Sequence, residues 1–380
     1  MKAVAPLLEP THQELWHRVS EWGQRVLRPK SEPANDGDAR REARTILREI
    51  GEGGWLQALE SQDLRALCLV RDAMAGESPL ADAVVAIQAL GATALILGGD
   101  TTLRQQWVPG IIAGDVMAAF AMTETDAGSD VAAMTTTARR EGDCWVIDGE
   151  KHLISNAGIA DVYLVFAKTT PGAGSRGISL FLVPSDTPGM SFEGAQVLAA
   201  AHPLGRIRFR NCRVPDSALV GQRDRGFKLG MQTLDRLRAS VGAAACGMAS
   251  RALEEAVAHA RQRRQFGQLL SDMPVIRSKI GQMATDLDAA RLLVYRAAWE
   301  QAHGMERISV SAAMAKLFAT ETAQRVVDEA VQIVGGAGVV IGHPVERLYR
   351  AVRALRIYEG ASEIQRLIVA GGIFDEATRA

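Results

Sequence analysis

The sequence predicts an α+β chain, mainly α, with a helical N-terminal region (1–115), a middle antiparallel β region (116–225) and a C-terminal helical bundle (226–380). Three observations carry this. Apolar residues recur three or four apart at Trp16, Val19, Trp22 and Val26, and again at Leu64, Leu67 and Val70, which is the spacing of one helix face. Near Val116 that period gives way to short β-rich runs bounded by Gly and Pro. From about Gly226 it returns: Ile276, Ile280, Met283, Leu287, Ala290 and Val294 line one side of a long helix.

In chain order, Pro29–Asp38 holds two prolines, Asn35 and Gly37 and reads as a loop between helices. Ala83–Gly99 is uncharged and mostly apolar, but it is interrupted by Gln88 and closed by Asp82 and Asp100. It falls short of the ~20 residues of a membrane span and reads as a buried helix. Asp148-Gly149, between two apolar runs, predicts a hairpin turn. Val162–Ala167 and Gly177–Val183 predict strands. Ile207 and Phe209 alternate with Arg206, Arg208 and Arg210, so one strand face packs and the other is wet. Ser271 or Asp272 before Met273-Pro274 marks a helix start, since proline fits the first turn. Val310, Met314, Leu317, Val327, Val331 and Val334 mark another helix. The small residues of Gly242–Gly247 allow helices to approach closely.

The 380 residues allow two or three domains. The 43 basic residues nearly cancel the 44 acidic ones, which argues against a polyanion as main partner. A 5% aromatic content argues against stacking on single strands, and 47% apolar residues exclude disorder. Cys68, Cys144, Cys212 and Cys246 form no CxxC pair and have no histidine at ligand spacing. No metal site or disulfide framework is expected, and reduced thiols fit a cytoplasmic setting. Met1–Pro10 is too short and interrupted to read as a signal peptide.

Three segments join glycines to polar residues. Ala121–Asp130 is either a capped loop or a loop whose hydroxyls and backbone donors hold a ligand edge. Gln332–Gly342 imitates a dinucleotide fingerprint, but it ends a helical pattern with no βαβ unit around it, so helix-end glycines near a ligand or another subunit fit better. Ile357–Gln365 puts Glu359 before Gly360 and a new helix start. Read alone, Glu359 fits a capping or solvated acid at least as well as a base.

Together, Ala121–Asp130, Gly149–Asn156, Arg263–Gly267, Gln332–Gly336 and Tyr358–Gln365 match in order and spacing the motifs of the acyl-CoA dehydrogenase flavoproteins, and the whole chain as far as Ile368 resembles that family. The resemblance implies a helical N-domain, a middle β domain and a C-terminal four-helix bundle, with FAD bound between them. Glu359 matches the family's catalytic base. Some relatives place the base one position before the arginine of the Asp235–Arg238 segment; Leu237 stands there and cannot accept a proton.

For the cofactor, Met122, Thr123 and Ser129 match positions lining the flavin or the thioester entrance, and Leu153 and Ser155 match a segment against the isoalloxazine ring. Arg263 with Phe266, and with them Gln265, match the site for the FAD pyrophosphate and adenosine supplied by a neighbouring subunit. Gln332, Gly335 and Gly336 match its other half, and Ala361 and Glu363 fall in the motif after the base. For the acyl-CoA, Ser129, Asp235, Arg238 and Gly360 match substrate positions. Arg261, Arg263 and Arg264 could also form a solvated helix face, the reading taken for Arg261 and Arg264. There are departures. Thr125 replaces a common Pro, and Leu153 replaces Trp. Gln265 and Ala361 replace hydroxyl residues, and Pro274 replaces Gln. Ala199–Gly205 replaces a Gly-Arg-Ser/Thr-rich loop, and its His202 reads as structural.

The resemblance implies α,β-dehydrogenation of an acyl-CoA to the trans-2-enoyl-CoA. Glu359 would take the α-proton, while the thioester carbonyl accepts from the backbone N–H of the base and from a flavin ribityl hydroxyl. It further implies reoxidation by electron-transferring flavoprotein and a homotetramer. Two alternatives stay open: a flavin oxidase or monooxygenase on the same scaffold, or a catalytically silent binding subunit.

Overall fold

The computed structural model describes residues 1–305 and 308–379. Its helices are α1 (Pro10–Trp22), α2 (Asp36–Glu52), α3 (Ala58–Ser61), α4 (Leu64–Glu77), α5 (Pro79–Gly98), α6 (Thr101–Ala113), α7 (Gly226–Gln262), α8 (Pro274–Ala302), α9 (Ser309–Val334), α10 (Pro344–Leu355) and α11 (Ser362–Arg379). The strands are β1 (Ala118–Ala121), β2 (Thr137–Glu141), β3 (Cys144–Ser155), β4 (Val162–Lys168), β5 (Ile178–Pro184), β6 (Met190–Ala195), β7 (Leu204–Pro215), β8 (Leu219–Val220), β9 (Arg264–Gln265) and β10 (Gln268–Leu269). Helices thus flank the strands as the change of period predicts. Asn35, Asp63 and Asp100 cap α2, α4 and α6 by accepting first-turn N–H groups. Pro274 opens α8 at its first position.

The chain divides into two compact units. One comprises Met1–Glu32, Asp63–Asp82 and Asp235–Ala380. In it, α9 packs on α8, α10 and α11. Its inner stripe is Ala312, Ala313, Ala315, Ala319 and Ala323, all buried. Small residues set how closely the helices approach: a Cβ on Gly247 of α7 would lie 2.0 Å from the Asp72 carbonyl oxygen of α4. Two buried ion pairs brace this packing. Arg71 donates to both Asp82 oxygens at 2.7 and 3.0 Å, and Arg291 to both Asp72 oxygens at 3.1 and 2.9 Å.

The second unit comprises Pro33–Gln62 and Ala83–Leu234. Its sheet runs β6-β7-β3-β2-β4-β5-β8 and is mainly antiparallel. The antiparallel expectation misses two pairings: β1 lies parallel to β4, and β2 touches β4 in parallel at Thr137–Lys168. The Asp148-Gly149 turn is a correction. β3 continues through these residues, with an irregularity in its pairing to β7 between Ile147 and Gly149, and the chain reverses at Gly142-Asp143, where Glu141 faces Cys144. Gly149 is required for a different reason: a Cβ there would lie 2.4 Å from Thr136 Oγ1. The wet strand face holds on β7, where Ile207 and Phe209 are buried while Arg206 and Arg210 are exposed.

By length and composition α5 could cross a membrane, yet 78% of its most apolar window is buried, as a core helix requires. Gln88, in that helix, joins α5, α6 and β1. It donates to the carbonyls of Ile111 and Val116 at 3.1 and 2.7 Å and accepts from Ala118 N–H at 2.7 Å. Gln88→Leu keeps the volume, strands the Val116 carbonyl and the Ala118 N–H, and leaves the Ile111 carbonyl with Gly114 N–H alone. We expect a loss of about 3 kcal/mol in a denaturant unfolding curve of the whole chain, at ~1–3 kcal/mol per unsatisfied group. An unchanged midpoint would refute this account.

Candidate active site

In the β-bearing unit, a buried ion pair positions the polar segment after β1. Lys151, fully buried on β3, donates to Glu124 Oε1 at 2.8 Å and to the Met122 carbonyl at 3.2 Å. Glu124 also accepts from Thr135 N–H at 2.6 Å and Thr136 N–H at 3.0 Å. Burial pulls the Lys151 ammonium down to about 8 against the pull of Glu124. Burial would raise Glu124, but the Lys151 charge and hydrogen bond and the backbone donors bring it down to about 2. Both therefore remain charged near neutral pH.

His152 N–H donates to the Thr123 carbonyl at 2.9 Å, so Met122 and Thr123 lie alongside the Leu153–Ser155 end of β3. Leu153 occupies an irregularity between Lys151 and Ile154 with φ 54°, and its side chain is 47% exposed. The loop that departs from the family pattern is tied to this segment. Gln196 Oε1 accepts from Leu153 N–H at 2.9 Å, and the Pro203 carbonyl accepts from Asn156 N–H at 2.9 Å. His202 Nε2 sits 2.8 Å from Ser155 Oγ, and burial pulls its pKa down to about 4. Ser129 lies on the exposed loop beyond, beside Gly128.

In the other unit, Glu359 lies between α10 and α11 with φ 52°, followed by Gly360 at φ 90°. Lys316 Nζ and Gln365 Nε2 each donate to the Gly360 carbonyl at 2.8 Å, and Gln365 also reaches the Glu359 carbonyl at 3.3 Å. Glu359 Oε2 is shielded from water without a hydrogen-bond partner. Burial pushes the Glu359 carboxyl above its ordinary value, opposed by Arg71, Lys316 and Arg238 and reinforced by Asp82. Arg238 is buried and donates to Asp235 Oδ1 at 2.6 Å, while Ser309 holds Asp235 Oδ2 at 2.8 Å. Leu237 is buried and supplies no rival acid. Ala361 is partly exposed, and Glu363 is exposed and pairs with Arg366 at 3.3 Å.

Arg263, Gln265 and Phe266 are exposed just after α7. Arg264 is a correction to the helix-face reading: it lies on β9, beyond the last turn of α7, while Arg261 stays on the helix. Phe266 (φ 51°) and Gly267 (φ 81°) turn β9 into β10, and the phenyl ring is 93% exposed. Gln332, Gly335 and Gly336 are exposed at the end of α9, and nothing crowds either glycine. No βαβ unit surrounds them; a short helical turn follows. Sequence reasoning missed Lys316, Arg71 and Lys151. The visible signal for Lys316 was a lone charge within the run Ala312-Ala-Met-Ala-Lys-Leu-Phe-Ala319.

Comparison with known proteins agrees with this arrangement. The family model of the acyl-CoA dehydrogenase middle domain matches residues 119–212, and that of the C-terminal domain matches residues 224–374. This chain belongs to the acyl-CoA dehydrogenase family, an FAD-dependent family of enzymes that dehydrogenate acyl-CoA thioesters. Among relatives, a probable acyl-CoA dehydrogenase FadE25 of Mycobacterium tuberculosis is 36% identical over 82% of this chain and 80% of its own. The human mitochondrial short-chain specific acyl-CoA dehydrogenase is 42% identical over 72% of this chain and 66% of its own. The structure of butyryl-CoA dehydrogenase from Megasphaera elsdenii aligns with a TM-score of 0.91 at 29% identity, covering 97% of this chain and 99% of that one.

The residues fit FAD. Leu153 and Phe266 present uncovered apolar side chains from backbone held at positive φ, where a large planar group can lie against them. Gly335 and Gly336 leave their backbone open to close approach.

The His202 contact gives a pH prediction. A folded pKa below the unfolded one means that the unfolded chain binds the extra proton. The contribution is complete above about 6.5 and is lost as pH falls through about 4. In thermal melts, His202→Gln should lose less stability than wild type across that window; parallel losses would refute the burial of this ring.

Proposed function

We propose that this enzyme removes the α-proton of an acyl-CoA with Glu359 and forms the trans-2-enoyl-CoA. The observation that carries this is a shielded carboxylate oxygen with no partner, on a turn whose carbonyls are pinned by Lys316 and Gln365. Desolvation raises the proton affinity of the carboxylate, which strengthens it as a base. Among the described residues no acceptor meets the Glu359 backbone N–H, which leaves it free to donate to the thioester carbonyl as enolate charge develops. FAD, when bound, supplies the two-electron acceptor for the hydride of the β-carbon.

We assign Met122, Thr123, Ser129, Leu153 and Ser155 to the flavin. Arg263, Gln265 and Phe266, with Gln332, Gly335, Gly336, Ala361 and Glu363, are assigned to the FAD pyrophosphate and adenosine across a subunit boundary. The guanidinium fork of Arg263 suits a phosphate pair. Ser129, Asp235, Arg238 and Gly360 are assigned to the acyl-CoA. Exposed Ile341, Leu367 and Phe374 support assembly with other copies, which we take to be a homotetramer. We take electron-transferring flavoprotein as the acceptor of the reducing equivalents and the cytoplasm as the location. The family matches at 119–212 and 224–374 support three domains divided near 115 and 225.

Glu359→Gln should keep FAD and bind acyl-CoA, while the rate of flavin bleaching falls by roughly 10²–10⁴-fold, the usual contribution of a general base. Stopped-flow mixing with a panel of acyl-CoAs, butyryl-CoA first, measures this. Bleaching at the wild-type rate would remove Glu359 from the reaction.

A further inference from the structure

Three buried cations act on Glu359, and two are already paired. The Arg71 guanidinium grips both oxygens of Asp82 and donates to Ser240 Oγ at 2.9 Å. Arg238 is bound to Asp235 at 2.6 Å. Lys316 differs. It is fully buried on α9, and among the described residues no carboxylate forms an ion pair with it. Its recorded hydrogen bond goes to the Gly360 carbonyl, a neutral acceptor that Gln365 already serves at 2.8 Å. Holding that carbonyl therefore does not require an ammonium, and burying an unpaired one is costly. A neutral donor would suffice unless the charge itself has a use.

We propose that Lys316 is a positioning residue for Glu359: its buried ammonium fixes the Glu359–Gly360 turn and holds the neighbouring carboxyl in its ionised, proton-accepting form. The proposal rests on the reading of Glu359 as the base. Burial acts against ionisation of Glu359; Arg71 opposes it most, then Lys316 and Arg238, and Asp82 offsets part of that pull. Lys316 opposes burial with an uncancelled charge. The acids that act on Lys316 are Glu359, Glu321 and Glu363, and Arg238 acts against it. Glu321 is itself engaged by Arg356 at 2.8 Å and by Ser362 at 2.6 Å. Glu363 is exposed and paired with Arg366. That leaves Glu359, half-buried and with a shielded Oε2 that has no hydrogen-bond partner, as the acid acting on Lys316. Burial pulls the ammonium down to about 8, so it is charged at neutral pH and loses its effect above that value. The arrangement permits a base that is desolvated enough to be strong yet still unprotonated when substrate arrives.

The test uses the full-length, FAD-loaded protein and two variants. Lys316→Gln keeps a donor for the Gly360 carbonyl and removes the charge; Lys316→Met removes both. Infrared difference titration without substrate reads the protonated Glu359 carboxyl, assigned by its absence in Glu359→Gln. The pH dependence of kcat/KM with butyryl-CoA gives a second readout of the free enzyme. Removing a nearby cation raises a carboxyl pKa, so in Lys316→Gln the infrared midpoint and the acid limb should both move up by roughly one pH unit. Lys316→Met should show at least the same shift. An unmoved infrared midpoint in a folded, FAD-loaded Lys316→Gln would overturn the proposal and leave Lys316 as a structural donor. Full bleaching by Glu359→Gln would instead overturn the base assignment, and the infrared arm would still decide the coupling.

Discussion

A carboxylate withdrawn from water must be stabilised by something other than solvent, and the surroundings of Glu359 are arranged around that requirement. If hydrogen bonds compensated it fully, the acid would be stable and inert. If nothing compensated it, the group would be protonated and useless as a base. The structure takes a third course: Oε2 has no hydrogen bond, and cations act on it at longer range. Arg71 and Arg238 could not do this alone without damaging their own packing, because an unpaired buried guanidinium is as costly as an unpaired carboxylate. Their pairing with Asp82 and Asp235 keeps them in place and limits their field. The helices α4, α7 and α9 thus serve the site as rigid mounts for charges, and the close approach of α4 and α7 at Gly247 sets where Arg71 stands.

The same device recurs in the β-bearing unit. Lys151 and Glu124 form a buried pair whose spare bonds go to backbone: the Met122 carbonyl on one side, Thr135 and Thr136 N–H groups on the other. In both units a buried lysine holds a carbonyl next to a residue assigned to chemistry or cofactor. An ammonium can do this because it carries three donors on a long stem and can bond a carbonyl while its charge acts elsewhere. A well-packed apolar residue would be cheaper in stability, so the retained charge marks positions where backbone orientation matters more than stability.

Much of the fold was legible because its signals are local. Helical spacing and Pro274 at the first position of α8 each depend on residues within a turn or two, and the structure reproduces them. Asp148-Gly149 misled because glycine has two uses. Here it admits Thr136, just ahead of β2, a contact between segments that no local pattern reports. The site was legible in a different way. Glu359 carries no distinguishing signal by itself; five ordered motifs singled it out. Arg71 and Lys316 lie far from it in sequence, and only the folding of α4, α9 and the turn before α11 brings their charges to bear on it. Electrostatic environment is a tertiary property, and the sequence carries it only as isolated polar residues in apolar helices.

The departures from the family pattern belong together once their contacts are considered. Leu153, which the resemblance sets against a usual Trp, stands on backbone at φ 54°. Its N–H is held by Gln196, the next residue but one is held by His202, and Asn156 N–H is held by Pro203. His202 and Pro203 belong to the unusual Ala199–Gly205 loop, and Gln196 lies just before it. Loss of an indole removes both packing area and a rigid neighbour from an exposed strand end. Hydrogen bonds from an adjoining loop can restore the rigidity without restoring the area. A neutral imidazole suits this purpose, since it can bond a hydroxyl without placing a further charge near the segment. The leucine and its polar partners therefore work together: a small apolar side chain on a segment fixed by hydrogen bonds from the residues beside it.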